Sequence, residues 1–150
     1  MSESSTSTSL EMPSAEALDR LLDSARAAMT HACCRYSCFP VGAALLAADG
    51  RIFTGVNVES SSSGGTICAE RTALVKALSE GVRDFTAIAV ATNAAHPTMP
   101  CGICRQLLHD YAPGITVIAG ASGERQVTTL AELLPHPFGA EDLEGFERPR

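Results

Sequence analysis

The amino-acid sequence predicts an α/β domain, a mixed sheet covered by helices on its faces. Three observations predict it. Short apolar runs alternate along the chain with segments whose apolar residues recur at helical spacing. The first two runs flank Asp49-Gly50, a preferred pair for a tight hairpin turn, so the sheet opens antiparallel before helices interleave. The chain has 150 residues and no internal repeat, which suits one domain over residues 14–150.

Ser14 can cap a first helix, and the helix dipole favours Glu16 in its first turn. Leu18, Leu21, Leu22, Ala25 and Met29 give that helix one apolar face. Residues 41–48 read as a nearly all-apolar strand and residues 51–58 as its hairpin partner. Residues 60–65 form a polar connector of serine and glycine. Helical periodicity returns over 67–80 and ends at Gly81, a favourable C-terminal cap. A third strand is expected over 85–92, a loop over 93–100, a helix over 101–111, a fourth strand over 115–119 and a short fifth over 126–128. Thr129 and Glu132 suit a capping box for a last short helix, which Pro135 stops.

Composition narrows the function classes. Apolar residues make up 45% of the chain and aromatics only 5%, so Ala, Leu and Val must do most of the packing. Small side chains require elements to approach closely, and they also suit flat interfaces between subunits. A net charge of −6, with eleven scattered Lys and Arg, argues against a phosphate-backbone partner and for a small molecule. Residues 1–13 are rich in Ser and Thr and read as a disordered tail, neither a secretory signal nor a membrane span. Six cysteines without such a signal point to the reducing cytoplasm. Cys33, Cys34 and Cys38 are expected to be small buried hydrophobes.

The chemistry is carried by Cys68-Ala69-Glu70 and, downstream, Pro100-Cys101-Gly102-Ile103-Cys104. Cys68, Cys101 and Cys104 can hold zinc and leave its fourth tetrahedral position to water, as catalytic zinc sites do. Glu70, two residues from the first thiol, can move protons beside that water. A Cys or His two before a Glu, followed by Pro-Cys-x-x-Cys, is the signature of zinc nucleobase deaminases. A redox Cys-x-x-Cys would leave Cys68 and Glu70 without a role. A closed structural site would need a fourth ligand from His31, His96, His109 or His136, none at finger-like spacing. Three thiolates on Zn²⁺ carry a net negative charge, so a cation near the sulfurs is expected, with Arg71 the first candidate and Arg105 the reserve.

Beyond this motif the chain resembles the small homotetrameric cytidine deaminases. The likeness runs through Tyr36-Ser37-Cys38-Phe39-Pro40-Val41-Gly42-Ala43-Ala44 and Gly55-Val56-Asn57-Val58-Glu59. It continues in Thr66-Ile67-Cys68-Ala69-Glu70-Arg71-Thr72-Ala73 and in Pro100-Cys101-Gly102-Ile103-Cys104-Arg105-Gln106. Leu133-Leu134-Pro135 and Phe138-Gly139-Ala140-Glu141-Asp142-Leu143 resemble the family's C-terminus. The resemblance implies a three-layer helix–mixed sheet–helix fold and hydrolytic deamination of cytidine and deoxycytidine in pyrimidine salvage. It also implies that Asn57 and Glu59 bind the ribose, Phe39 packs near the nucleoside and the Ala69 backbone holds the pyrimidine. Phe138 would reach into a neighbouring subunit's site, which makes the homotetramer part of the active unit.

One segment departs from the family pattern. Glu59-Ser60-Ser61-Ser62-Ser63-Gly64-Gly65 places Ser63 where relatives commonly carry a tyrosine that helps bind the 5′ end of the sugar across the subunit interface. Gly64-Gly65 resembles blasticidin-S deaminases, which act on a cytosine antibiotic. A deaminase of a modified cytosine nucleoside is therefore the alternative enzyme, and a zinc-stabilised binding module without turnover the non-enzymatic one. Glu70 separates the last two, because a structural zinc has no use for a neighbouring acid.

Overall fold

The computed structural model describes residues 12–145; residues 1–11, most of the expected tail, and residues 146–150 lie outside them. Helix α1 spans Ala15–Met29, followed by strands β1 (Val41–Ala47) and β2 (Ile52–Val56). Helix α2 (Ala69–Ser79), β3 (Phe85–Thr92) and α3 (Gly102–Tyr111) follow. Strands β4 (Thr116–Gly120) and β5 (Arg125–Thr129) and the short helix α4 (Leu130–Leu133) come next. The sheet order is β2-β1-β3-β4-β5, with β3 and β4 parallel and every other pair antiparallel. This is the expected mixed sheet.

Two cores sandwich it. Leu18, Leu21, Leu22 and Ala25 of α1 pack on Ala44, Ala87, Ala89, Ala91 and Ile118. On the opposite face, Ala69, Ala73, Leu74 and Ala77 of α2 and Leu108 of α3 cover Ala43, Leu45, Ile88 and Val117. Alternation along each strand sends neighbours to opposite faces, so a strand buried on both reads as a continuous apolar run. The result is three layers. Ser14 caps α1 by accepting from the Ala17 amide at 3.2 Å, and Thr129 and Glu132 form the capping box of α4.

The differences from expectation have local causes. Asp49-Gly50 does not make a two-residue turn; Ala48, Asp49 and Gly50 form a three-residue loop with Gly50 at φ 89°, which leaves one left-handed position rather than two. Strand β1 ends at Ala47 because the Ala48 amide donates to Asp84 instead. Strand β2 ends at Val56, and Val58 then bridges Cys33 on one side and Ile67 on the other. Ile67 is therefore bridging strand, and α2 starts two residues later than the periodicity predicts. Cys33 and Cys38 are exposed and Cys34 half-buried, contrary to the expectation of buried thiols. They lie in the surface turn between α1 and β1, while leucines and alanines fill the core. Cys38 adopts φ 55°, a left-handed conformation uncommon for a residue with a side chain.

Glycine sets how closely helices approach the sheet. A Cβ at Gly55 would collide with the Ala69 carbonyl and the Ala73 amide of α2, and one at Gly42 with the Ala25 carbonyl and Met29 amide of α1. Gly55→Ala and Gly42→Ala should each destabilise the protein by about 1–3 kcal/mol, as overpacking does. Gly64→Ala, at a position open to solvent, should change stability by less than about 0.5 kcal/mol. Chemical denaturation of the three variants checks this, and a silent Gly55→Ala would contradict the packing.

Candidate active site

Two helix starts build the centre of the site. Cys68 is the N-cap of α2 and Cys101 the N-cap of α3, so each sits one position ahead of the first turn. Cys104 lies inside the first turn of α3 and is buried. Pro100, itself buried, suits the entry to a helix because extended backbone precedes it. Capping places both thiols beside N–H groups that lack intrahelical acceptors, where the dipole lowers the cost of negative charge.

The sulfurs fit zinc. Thiolates about 2.3 Å from a tetrahedral zinc lie about 3.8 Å from one another. Here the Cys68 and Cys101 Sγ atoms are 3.9 Å apart and those of Cys101 and Cys104 3.6 Å apart. All three Sγ atoms lie within 4.8 Å of one another, and they form the one group of three or more potential metal ligands among the described residues. No histidine joins them. A hydrogen bond with Cys104, then one with Cys101 and the presence of Arg71, hold the Cys68 thiol down to about 5 against the effect of burial. The same bond with Cys68, followed by burial, pushes the Cys104 thiol up. Adjacent sulfurs thus compete for protons, a conflict that a divalent cation relieves by binding all three as thiolates.

Glu70 lies in the first turn of α2 and is 5% exposed. Burial pushes its carboxyl up to about 7, with the Cys68 charge acting in the same direction. A carboxyl poised near neutrality both accepts and donates protons. Arg71 donates to the Thr66 carbonyl at 2.7 Å, while its buried Nε has no hydrogen-bond partner. An unspent donor on a guanidinium that lowers the Cys68 pKa is what an anionic sulfur cluster requires. Arg105, the reserve candidate, is committed elsewhere: Nε donates to the Pro100 carbonyl at 2.7 Å and a terminal nitrogen to the Leu133 carbonyl at 3.0 Å. It braces the start of α3 against α4.

A cavity of about 420 Å³ opens over the sulfurs. Phe39, Asn57, Glu59, Ala69 and Glu70 line it together with Cys68 and Cys101, so the structure gathers residues that are far apart in the sequence. Asn57 and Glu59 lie just beyond β2 and still face the same space. Asn57, 8% exposed, accepts from the Val41 amide and donates to the Phe39 carbonyl, each at 2.9 Å. Its side chain thereby holds the entry of β1. Phe138 is 58% exposed and does not line the cavity of its own chain; its carbonyl accepts from Gln106 Nε2 at 2.7 Å. Ser63 opens an exposed 3-10 turn, Ser63–Gly65, and is also absent from this lining. Ser37, Thr66, Thr92 and Thr98 line the cavity without having been anticipated. Each is a short polar residue in a loop or at a strand end, with no spacing signal to mark it.

Comparison with known proteins agrees with this geometry. Residues 15–119 match the family described as the cytidine and deoxycytidylate deaminase zinc-binding region. A cytidine deaminase of Sporosarcina psychrophila is 44% identical over 128 residues, covering 84% of this chain and 94% of that protein. A crystal structure of cytidine deaminase from Burkholderia pseudomallei superposes with a TM-score of 0.78 at 44% identity, covering 80% of this chain and 98% of that one. A blasticidin-S deaminase of Bacillus cereus is 35% identical over 103 residues, covering 63% of this chain and 74% of its own. Three sulfurs at zinc spacing, a buried acid beside them and a match across most of the chain lead to one conclusion: the protein belongs to the cytidine and deoxycytidylate deaminase zinc-binding family.

Proposed function

We propose that this protein deaminates cytidine and deoxycytidine hydrolytically, yielding uridine or deoxyuridine and ammonia. The observation that carries the reading is Glu70, buried in the cavity wall beside three clustered sulfurs, where a structural metal would need no acid. Cys68, Cys101 and Cys104 would hold a zinc ion, which would supply Lewis-acid activation of the attacking water. Glu70 as carboxylate takes a proton from the attacking water and passes it to N3 of the cytosine ring, which makes C4 more electrophilic. It then takes the remaining proton from the hydroxyl added at C4 and delivers it to the departing amine, so that the C4 oxygen becomes the carbonyl of the product and Glu70 ends as the carboxylate it began as. Arg71 offsets the negative charge of the sulfurs. The first amides of α2, Ala69 among them, are free of intrahelical acceptors and suit the pyrimidine carbonyl.

The sugar side of the cavity supports the finer assignments. Phe39 offers an apolar wall, Asn57 and Glu59 offer hydrogen-bonding groups, and all three line one space with the acid. Phe138, exposed and held out by Gln106, suits insertion into the site of a neighbouring copy in a homotetramer. Exposed Tyr36, Val58, Ile67 and Ile103 provide apolar surface for such an assembly. A role in cytoplasmic pyrimidine salvage follows from the proposed free-nucleoside substrate; among the described residues no helix is long and apolar enough to cross a membrane. The relationship to blasticidin-S deaminase keeps a modified cytosine nucleoside as the second reading.

Ammonia release from cytidine, deoxycytidine, CMP, cytosine and blasticidin S, assayed in parallel, tests the reading. The first two should be turned over fastest, and turnover of blasticidin S alone would replace it. Elemental analysis should find about one zinc per chain, and chelation should abolish activity until zinc is restored. Glu70→Gln should retain that zinc and lose at least about a hundredfold in kcat; near-normal turnover would contradict the mechanism. If Ser63 faces a neighbour's sugar pocket, the missing aromatic ring leaves the 5′ end roomier. Ser63→Tyr should then raise kcat/KM for cytidine and lower it for 5′-modified analogues, whereas equal effects on both would assign the 5′ group to other residues.

A further inference from the structure

The turn over residues 36–39 is tied to Glu59 by bonds that neither the metal nor the proton transfers employ. Glu59 Oε2 accepts from the backbone amides of Tyr36 at 2.8 Å and Ser37 at 3.1 Å. Its Oε1 accepts the Ser37 hydroxyl. The direction of that hydroxyl is fixed by another bond, because the Phe39 amide donates to Ser37 Oγ at 3.0 Å. A backbone N–H pointing at the oxygen leaves the hydroxyl proton to go to the carboxylate. An ionised carboxylate has about four acceptor positions, and three of Glu59's are filled by this turn. The fourth is on Oε1, the oxygen that Ser37 holds, and both residues line the cavity. The Ser37 bond is also the largest influence holding the Glu59 carboxyl below its ordinary range, so the group accepts and does not donate.

We propose that Ser37 is a specificity-determining positioning residue, whose hydroxyl aims the remaining acceptor position of Glu59 at a single sugar hydroxyl of the nucleoside. The inference rests on the reading of Glu59 as a sugar ligand. It explains why the polar turn sits against the cavity: two amides and a hydroxyl fix a carboxylate that would otherwise rotate. It also defines the substrate class on that side. A hydroxyl donor is accepted, while groups that only accept, such as a methyl ether, a fluorine or a phosphate, find no proton on Glu59 and lose the contact. The hydrogen bonds of Ser37 go to Glu59 and the Phe39 amide and none joins it to the sulfurs or Glu70, so its effect belongs to substrate binding and not to the proton transfers.

Steady-state kinetics of Ser37→Ala, Ser37→Cys, Ser37→Thr and Glu59→Gln holoenzymes test this with cytidine, 2′-deoxycytidine and 3′-deoxycytidine. Ser37→Ala should raise KM for cytidine about tenfold, the scale of a hydrogen bond to a charged group, with kcat within about twofold. Ser37→Cys, which keeps the shape but donates weakly, should resemble it, and Ser37→Thr should restore KM to within about threefold of the parent. For whichever deoxy substrate lacks the hydroxyl that Glu59 accepts, Ser37→Ala should change KM less than about twofold. Equal KM increases on all three substrates, or a fall in kcat at constant KM, would overturn the proposal. Glu59→Gln tells the two failures apart. If it affects all three substrates alike, the sugar-ligand reading itself is wrong; if it discriminates among them and Ser37→Ala does not, only the role of Ser37 is.

Discussion

The first turn of α2 has to lie directly on β2, with no side chain between them, and the rest of the site depends on that contact. Gly55 supplies the bare backbone, and Ala69 and Ala73 supply helix surface small enough to meet it. Thr72 then closes the contact by donating to the Val56 carbonyl at 3.0 Å. Cys68 and Glu70 are carried on this turn, so their positions follow from the packing and not from any flexibility of their own. The partner helix α3 is fixed differently: Arg105 reaches from its first turn to the Pro100 and Leu133 carbonyls. Sulfurs from two helices can share one tetrahedral ion only because each helix start is pinned independently.

Pinning alone would leave an electrostatic difficulty. Three sulfurs and a carboxylate are gathered at one wall; Cys101 is exposed and Cys68 half-buried, whereas Cys104 and Glu70 are buried, and burial disfavours the charged forms of those two. Two helix starts and Arg71 favour negative charge at the sulfurs. Glu70 receives less compensation, and its carboxyl rises to about 7, chiefly through burial. The packing that buries Glu70 at the α2 start therefore gives it the proton affinity that acid–base work at neutral pH requires. Proton affinity and packing are in this sense one property of the α2 start.

The sequence made much of this legible for physical reasons that differ by element. The cluster of Cys68, Cys101 and Cys104 was readable because tetrahedral coordination restricts residue type and spacing, and because Glu70 has no use in the competing structural site. Helix α1 and the central strands were readable from period alone, as burial on one stripe or on both faces leaves a direct trace in the pattern. Boundaries were less so. Ile67 counts as a helix residue by period yet bridges to Val58, and Asp49-Gly50 reads as a two-residue turn yet sits in a loop of three. Exposed Cys33 and Cys38 show that thiol burial follows tertiary position and not residue type. The cavity-lining Ser37, Thr66 and Thr98 left no trace, since single hydroxyls become meaningful only when folding supplies a partner.

Asn57 and Glu59 show why such residues resist sorting into structural and functional classes. Asn57 spends its carbonyl oxygen on the Val41 amide and one of its protons on the Phe39 carbonyl. Glu59 spends three acceptor positions on the turn that contains Tyr36 and Ser37. Both side chains therefore build the wall that they also line. Each keeps a small residual capacity, one N–H and one acceptor position on the amide and one acceptor position on the carboxylate. A fixed residue with so few remaining positions can satisfy only a complementary group and penalises any other by leaving a polar atom unpaired. On the proposed assignment of Asn57 and Glu59 to the sugar, discrimination there follows from how completely the fold consumes these two side chains, and a looser turn would bind more ligands while distinguishing fewer.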